Sequence, residues 1–206
     1  MRERIKSALR KITADDGVEA RWLNTVSYME YVGARKIFRS VAQSHPSASV
    51  LDHLADETRH AAAFKELARH RGGGEPTQYL CLDEARTYFH KLDRELSAWT
   101  TDLVGEERPH LNYLLVTSMI ERRAMELYPL YRSASQDDVV RGELAAIITE
   151  EQDHRVRIEE TCVRLLGEYG IGDLTTPQTV EAAFFAEFWS AIEAALGTES
   201  LASAGA

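Results

Sequence analysis

The sequence has few cysteines and prolines, no long apolar run and no excess of basic residues. Its 206 residues include two cysteines, Cys81 and Cys162, which are too few for a four-thiolate metal site or a disulfide scaffold. No apolar run approaches the ~20 residues of a membrane-spanning helix, and no signal-peptide core follows the charged start. We therefore expect a reduced, cytoplasmic protein.

Acidic residues outnumber basic ones. Lys and Arg number 24 and Asp and Glu number 33, so the formal net charge is −9. Because nucleic acids and anionic membranes favour a basic protein surface, we expect neither as a partner. The apolar share of 44% and the charged share of 28% are typical of a globular protein, so a single domain over 1–206 is predicted.

The distribution of glycine, proline and apolar residues predicts an all-α chain. Apolar residues recur at helical spacing between breaks such as Gly72-Gly73-Gly74, and no stretch alternates as a strand would. Four long helices, at about 22–43, 49–71, 110–132 and 139–166, are predicted to form an antiparallel four-helix bundle of two hairpins. Further helices at about 2–14, 83–104 and 177–196 are expected to pack around it. Ser49 is the predicted N-cap of the second bundle helix.

Each predicted bundle helix carries a glutamate where its inward stripe should be apolar, and two of the helices add a histidine. The six residues are Glu30, Glu57, His60, Glu121, Glu151 and His154. On the second and fourth helices they form Glu-x-x-His, a spacing that places both side chains on one face. An uncompensated buried carboxylate is costly, and all six residues lie at similar distances from the hairpin turns. We therefore predict that they bind two metal ions.

The chemistry of these ligands narrows the choice of metal. Carboxylates and imidazoles suit iron or manganese, whereas thiolates would favour zinc or copper(I). We expect two iron ions, with Mn/Fe and Mn/Mn pairs as alternatives. A third Glu-x-x-His, from Glu107 to His110, contains Pro109 and is interpreted as a chance match. The competing interpretation is a polar core in which the buried charges only pair with one another.

The pattern Glu…Glu-x-x-His…Glu…Glu-x-x-His covers residues 20–166 and resembles the signature of the ferritin-like di-iron carboxylate superfamily. That superfamily includes ferritins, rubrerythrins, ribonucleotide reductase small subunits, acyl desaturases and bacterial multicomponent monooxygenases. Asp56-Glu57-Thr58-Arg59-His60 also resembles a form found in several of its oxidases. The resemblance implies a ferritin-like bundle in which Glu57 and Glu151 bridge the metals. It further implies that Glu30 and Glu121 are terminal ligands and that His60 and His154 bind one iron each.

The same resemblance assigns roles to residues beside the ligands. Asp56 and Glu150 precede the two bridging glutamates, and each is expected to accept a hydrogen bond from the free ring nitrogen of a ligand histidine. Arg59 and Asp153 occupy equivalent places in the two repeats and have opposite charge. We therefore expect these two side chains to pair with each other.

His53 lies one turn before Glu57, which gives the longer pattern His-x-x-x-Glu-x-x-His. This run resembles one that supplies a third imidazole ligand in the arylamine oxygenases of the superfamily, where it lies in the last bundle helix. Here it lies in the second. We expect His53 to lie beside the ligands or to face solvent, with a third imidazole ligand as the alternative.

The resemblance implies an oxidoreductase that activates O2 at two iron ions and oxidises a small substrate. N-oxygenation, hydroxylation and desaturation all fit. Ala124 and Met125 replace the threonine of hydroxylating members, and the additional glutamate of rubrerythrins is missing. No rubredoxin-like cysteine pairs are present. The expected partners are therefore O2 or peroxide, a small organic substrate, an external electron donor and a second copy of the chain in a homodimer.

Two other functions stay open at the level of sequence. A ferroxidase, an iron-storage protein or a peroxide scavenger would need only a narrow channel to the metals. A non-enzymatic helical protein with a structural polar core would bind no metal. A substrate-sized cavity beside Glu121, Met125 and Tyr128 would favour the oxidation of an organic substrate.

Overall fold

A computed structural model describes residues 1–41 and 45–204 of the chain. Within these residues the chain forms seven α-helices and no strand, which confirms the all-α prediction. The helices are α1 (Arg2–Ile12), α2 (Asp16–Val41), α3 (Ala48–Gly72), α4 (Leu82–Val104), α5 (Pro109–Ala134), α6 (Asp138–Gly167) and α7 (Thr175–Ala204). None of these seven helices is long and apolar enough to span a bilayer.

Local capping explains where the helices begin and end. α2 begins earlier than predicted because the side chain of Asp15 accepts a 2.9 Å hydrogen bond from the Val18 N–H. α3 is capped by Ser47 and not by the predicted Ser49. It ends within the glycine run as predicted, since Gly73 adopts a left-handed conformation with φ 67°.

α7 continues to Ala204, beyond its predicted end at residue 196. The predicted end of α2 at 42–43 lies outside the described residues.

The helices α2 and α3 form one antiparallel hairpin, and α5 and α6 form a second. Near the open end of the first hairpin, Glu19 of α2 pairs with Arg71 of α3 at 2.6 Å. Nearer its turn, Gly33 lies against Glu57. Because α2 also contacts α5 and α3 contacts α6, the four helices enclose a common core.

The other three helices cover this bundle. α4 and α7 pack against each other and against α5, and α1 packs against α5 and α7. Trp22 of α2 meets Trp189 of α7 edge to face, with ring centroids 5.8 Å apart. The buried Glu181 of α7 accepts hydrogen bonds from Tyr88 of α4 and Arg123 of α5. The covering helices are thereby fixed to one side of the bundle.

Candidate metal centre

The six predicted ligands converge in the core between the two hairpins, and all six are buried. Among the described residues, two groups of carboxylates and imidazoles have ligand atoms within 4.8 Å of one another. The groups are Glu30, Glu57, His60 and Glu151, and His53, Glu57, Glu121 and His154. We call these seven residues the centre.

Glu57 and Glu151 lie between the two halves of the centre. Glu57 belongs to both groups. Glu151 Oε1 lies 2.8 Å from His60 Nδ1, and Glu151 Oε2 lies 3.9 Å from His154 Nδ1. Because a carboxylate has two acceptor oxygens, both glutamates can contact two ions at once.

Each of the two histidines of the Glu-x-x-His pairs is oriented by a carboxylate of the opposite hairpin. His60 Nε2 of α3 lies 2.7 Å from Glu150 Oε2 of α6. His154 Nε2 of α6 lies 3.1 Å from Asp56 Oδ2 of α3. Contacts of this kind fix the ring orientation and the tautomer, and they leave the Nδ1 atoms on the side of the glutamates.

Three polar atoms of the centre have no hydrogen-bond partner among the described residues: His60 Nδ1, His154 Nδ1 and Glu121 Oε2. The 2.8 Å approach of His60 Nδ1 to Glu151 lacks the geometry of a hydrogen bond. Buried polar atoms in folded proteins are nearly always satisfied, so each of these requires an explanation. His60 belongs to one ligand group and His154 and Glu121 belong to the other, so these atoms fit one metal ion in each group.

The electrostatics of the centre also fit a cation. Burial raises the pKa of Glu30 and of Glu121 well above the ordinary value, and neighbouring carboxylates raise both further. Burial opposes protonation of His60, but its contact with Glu151 and the charge of Glu30 outweigh this and raise its pKa to about 10. The metal-free centre therefore carries protons that divalent ions would replace.

His53 lies inside the centre and does not face solvent. Its Nε2 atom is 3.2 Å from Glu57 Oε1 and 3.0 Å from Glu121 Oε1. Its ring centroid is 4.5 Å from that of His154. The solvent-facing position is therefore wrong, and these contacts fit both a histidine beside the ligands and a third imidazole ligand. The position one turn before Glu151 is occupied by Ile147, so the two halves of the centre differ.

Arg59 does not pair with Asp153, contrary to the prediction. Its guanidinium lies 2.7 Å from Asp56 Oδ1 and 2.8 Å from Glu150 Oε2. Both carboxylates also contact histidines of the centre, so they are fixed beside Arg59, whereas Asp153 is exposed. Burial alone would raise the pKa of Asp56 and of Glu150. The contacts of these carboxylates with Arg59 and the histidines outweigh burial and hold both pKa values below the ordinary value.

A cavity of about 440 Å³ reaches the centre between α2, α4 and α5, and Glu57 and Glu121 line its inner end. Of the three residues named for a substrate-sized cavity, Glu121 lines it, whereas Met125 and Tyr128 do not. The Tyr128 hydroxyl instead donates a hydrogen bond to Glu30, and only a small space of about 30 Å³ remains on that side.

Gly33 provides the space for a carboxylate of the centre. A Cβ atom at this position would clash with Glu57 Oε2. Gly33 lies three residues after Glu30 on the same face of α2, and the sequence alone assigned it no role. The available signal was the glycine itself, because glycine is unfavourable inside a helix.

No family model matches the chain, and no similar curated protein or solved structure is found. Function is therefore inferred from the residues of the centre and from the cavity beside them.

Proposed function

We propose that this chain is a dinuclear non-haem iron oxidoreductase that uses O2 to oxidise a small organic substrate. The main support is the convergence of four glutamates and three histidines, all buried, in two groups whose ligand atoms lie within 4.8 Å of one another. Among the described residues, a polar core that only pairs its own charges would not leave Nδ1 of His154 and Oε2 of Glu121 without a hydrogen bond.

The two ions would be bound by the two groups already described. The ligands of one would be Glu30 and His60, those of the other Glu121, His154 and His53, and Glu57 and Glu151 would lie between the ions. Four carboxylates, three imidazoles and no thiolate suit iron or manganese. Together with the two hairpins, this ligand set supports a place in the ferritin-like superfamily, which is part of the proposal.

Bound iron would supply the electron transfer to O2 that amino-acid side chains lack. The chain orients the ligands: Asp56 and Glu150 fix the two imidazoles, and Arg59 holds both carboxylates in place. In an oxygenation, one oxygen atom would enter the substrate and the other would leave as water. Two electrons and two protons would come from an external donor.

The cavity favours an organic substrate over the handling of iron or peroxide alone. Its volume of about 440 Å³ is in the range of small-molecule sites, about 300–1,000 Å³. Glu57 and Glu121 form its inner end, so a molecule inside it would lie next to the proposed metals. A ferroxidase or a peroxide scavenger needs only a narrow channel.

Anaerobic loading of the metal-free protein with Fe(II), metal analysis and exposure to O2 test the proposal. We expect two irons per chain and consumption of O2 as the iron is oxidised. Glu57→Ala and Glu151→Ala should each lose at least one iron and keep their helical circular dichroism. Glu160→Ala, at an exposed position of α6, is the control and should keep both irons. A native chain that binds no iron, or site variants that keep both irons, would contradict the proposal.

A further inference from the structure

The cavity beside the centre has a charge pattern opposite to that of the whole chain. The net charge of the protein is −9, yet five cationic side chains of the described residues line this cavity. They are Arg35, Lys36, Arg39, Arg86 and Arg108. Of the acidic side chains on its wall, Glu57 and Glu121 are proposed metal ligands and lie at its inner end. Asp93 and Glu107 also line it, so outside the proposed ligands five cations face two carboxylates and the lining has a net positive charge.

Three of these cations already pair with a carboxylate. The pairs are Lys36 with Asp93, Arg86 with Asp83 at 2.9 Å, and Arg108 with Glu106 at 2.6 Å. Among the described residues, Arg35 and Arg39 have no carboxylate partner. The guanidinium of Arg35 lies over the ring of Tyr31, 5.5 Å from its centroid. Two guanidinium groups on the cavity wall are thus available to an anion.

The wall of the cavity also carries apolar surface. Gly33 marks the inner end, because it lies against Glu57. Arg39 lies six residues further along α2, about 9 Å away at 1.5 Å per residue. The side chains that contribute apolar surface to the cavity are Val32, Ile37, Phe89, Tyr113, Val116 and Ile120. A molecule that fills this cavity would contact apolar surface, the two arginines and the carboxylates of the centre.

We infer that the cavity binds a small organic acid whose body is apolar or aromatic and whose carboxylate is bound by Arg35 and Arg39. This inference rests on the proposed function, since a carboxylate held at the arginines directs the other end of the molecule towards Glu57 and Glu121. A guanidinium matches a carboxylate with two parallel hydrogen bonds. The N-terminus of α5, which Arg108 does not cap with its side chain, adds the positive end of a helix dipole on the same wall.

Calorimetric binding of 4-phenylbutyrate and of the uncharged 4-phenylbutyramide tests the inference, because the two probes differ mainly in charge. We expect the iron-loaded protein to bind the acid about tenfold more tightly than the amide. The double variant Arg35→Gln/Arg39→Gln should lose this preference without a change in iron content or in affinity for the amide. Arg164→Gln, at an exposed position of α6 outside the cavity, is the matched control.

Three results would overturn the inference: no binding of either probe, equal binding of both, or a preference that survives in the double variant. The last result would place the carboxylate on the metal instead of on the arginines. The same titrations with metal-free protein separate this inference from the proposed function. Missing iron contradicts the proposed function, whereas a missing charge preference in a chain with two irons contradicts only the substrate class.

Discussion

His60 Nε2 of the first hairpin lies 2.7 Å from Glu150 Oε2 of the second hairpin. The reverse contact joins His154 of the second hairpin to Asp56 of the first at 3.1 Å. Each hairpin therefore orients a histidine of the other. The centre depends on the assembled bundle, because neither hairpin alone holds its own histidine in place.

The variant Glu150→Ala should weaken metal binding without unfolding the bundle. It removes the acceptor that holds the ring of His60, and loss of such an orienting contact costs about 10–100-fold in metal affinity. Competition of the protein with a coloured chelator for Fe(II) measures this affinity. Glu160→Ala is again the control. Unchanged affinity in Glu150→Ala would mean that the contact with His60 does not orient a ligand.

Gly33→Ala should impair the centre while it preserves or improves the stability of the metal-free chain. The new methyl group would displace the carboxylate of Glu57, but alanine favours a helix over glycine by about 1 kcal/mol. Metal analysis and the free energy of unfolding of the metal-free protein measure the two effects. Gly142→Ala in α6 is the matched control, since no atom lies within 4 Å of its added Cβ. Full iron binding by Gly33→Ala would contradict the close approach of Glu57.

Metal loading should release protons, and metal affinity should fall as pH falls. Burial and neighbouring carboxylates raise the pKa of Glu30 and of Glu121, and the pKa of His60 is raised to about 10, so all three favour the protonated form. Metal ions require the deprotonated ligands, and lower pH therefore strengthens the competition from protons. Calorimetry in buffers of different ionisation enthalpy counts the released protons. Glu30→Gln should release fewer, and metal uptake without any proton release would contradict the prediction.

Glu181→Ala should destabilise the chain far more than removal of the other partner of Arg123. Glu181 is buried and accepts hydrogen bonds of 2.8 and 2.6 Å from Arg123 and of 2.7 Å from the Tyr88 hydroxyl. Its loss leaves a buried guanidinium and should lower the free energy of unfolding by about 3–5 kcal/mol. Glu126→Ala removes the exposed partner of the same arginine and should cost about 0–1 kcal/mol. Denaturant unfolding compares the variants, and equal losses would contradict the prediction.

The helices, and the helix faces that carry the ligands of the centre, were predictable because both depend on the spacing of residues within one helix. Residues three or four apart share a helix face, so the two Glu-x-x-His pairs had to lie on single faces whatever the details of packing. The partners of Arg59 were not predictable in the same way. Glu150 and Asp153 lie one turn apart on α6, and only the packing of α3 on α6 decides which carboxylate Arg59 reaches.

The position of the cavity and the place of His53 depend on distances between helices. The sequence showed that His53 shares a helix face with Glu57. Whether the side chain of His53 points into the bundle core depends on the rotation of α3 about its own axis, which the sequence does not give. The space near the centre was expected beside Tyr128. The hydrogen bond from Tyr128 to Glu30 occupies that side, and the cavity lies where α2, α4 and α5 diverge.

The most direct test of the dinuclear centre is a crystal structure of the anaerobically iron-loaded protein with anomalous data at the iron edge. We predict two anomalous peaks about 3.5–4 Å apart, with the carboxylates of Glu57 and Glu151 between them. One peak should lie beside His60 and the other beside His53 and His154. A single peak, or none, among these side chains would contradict the account.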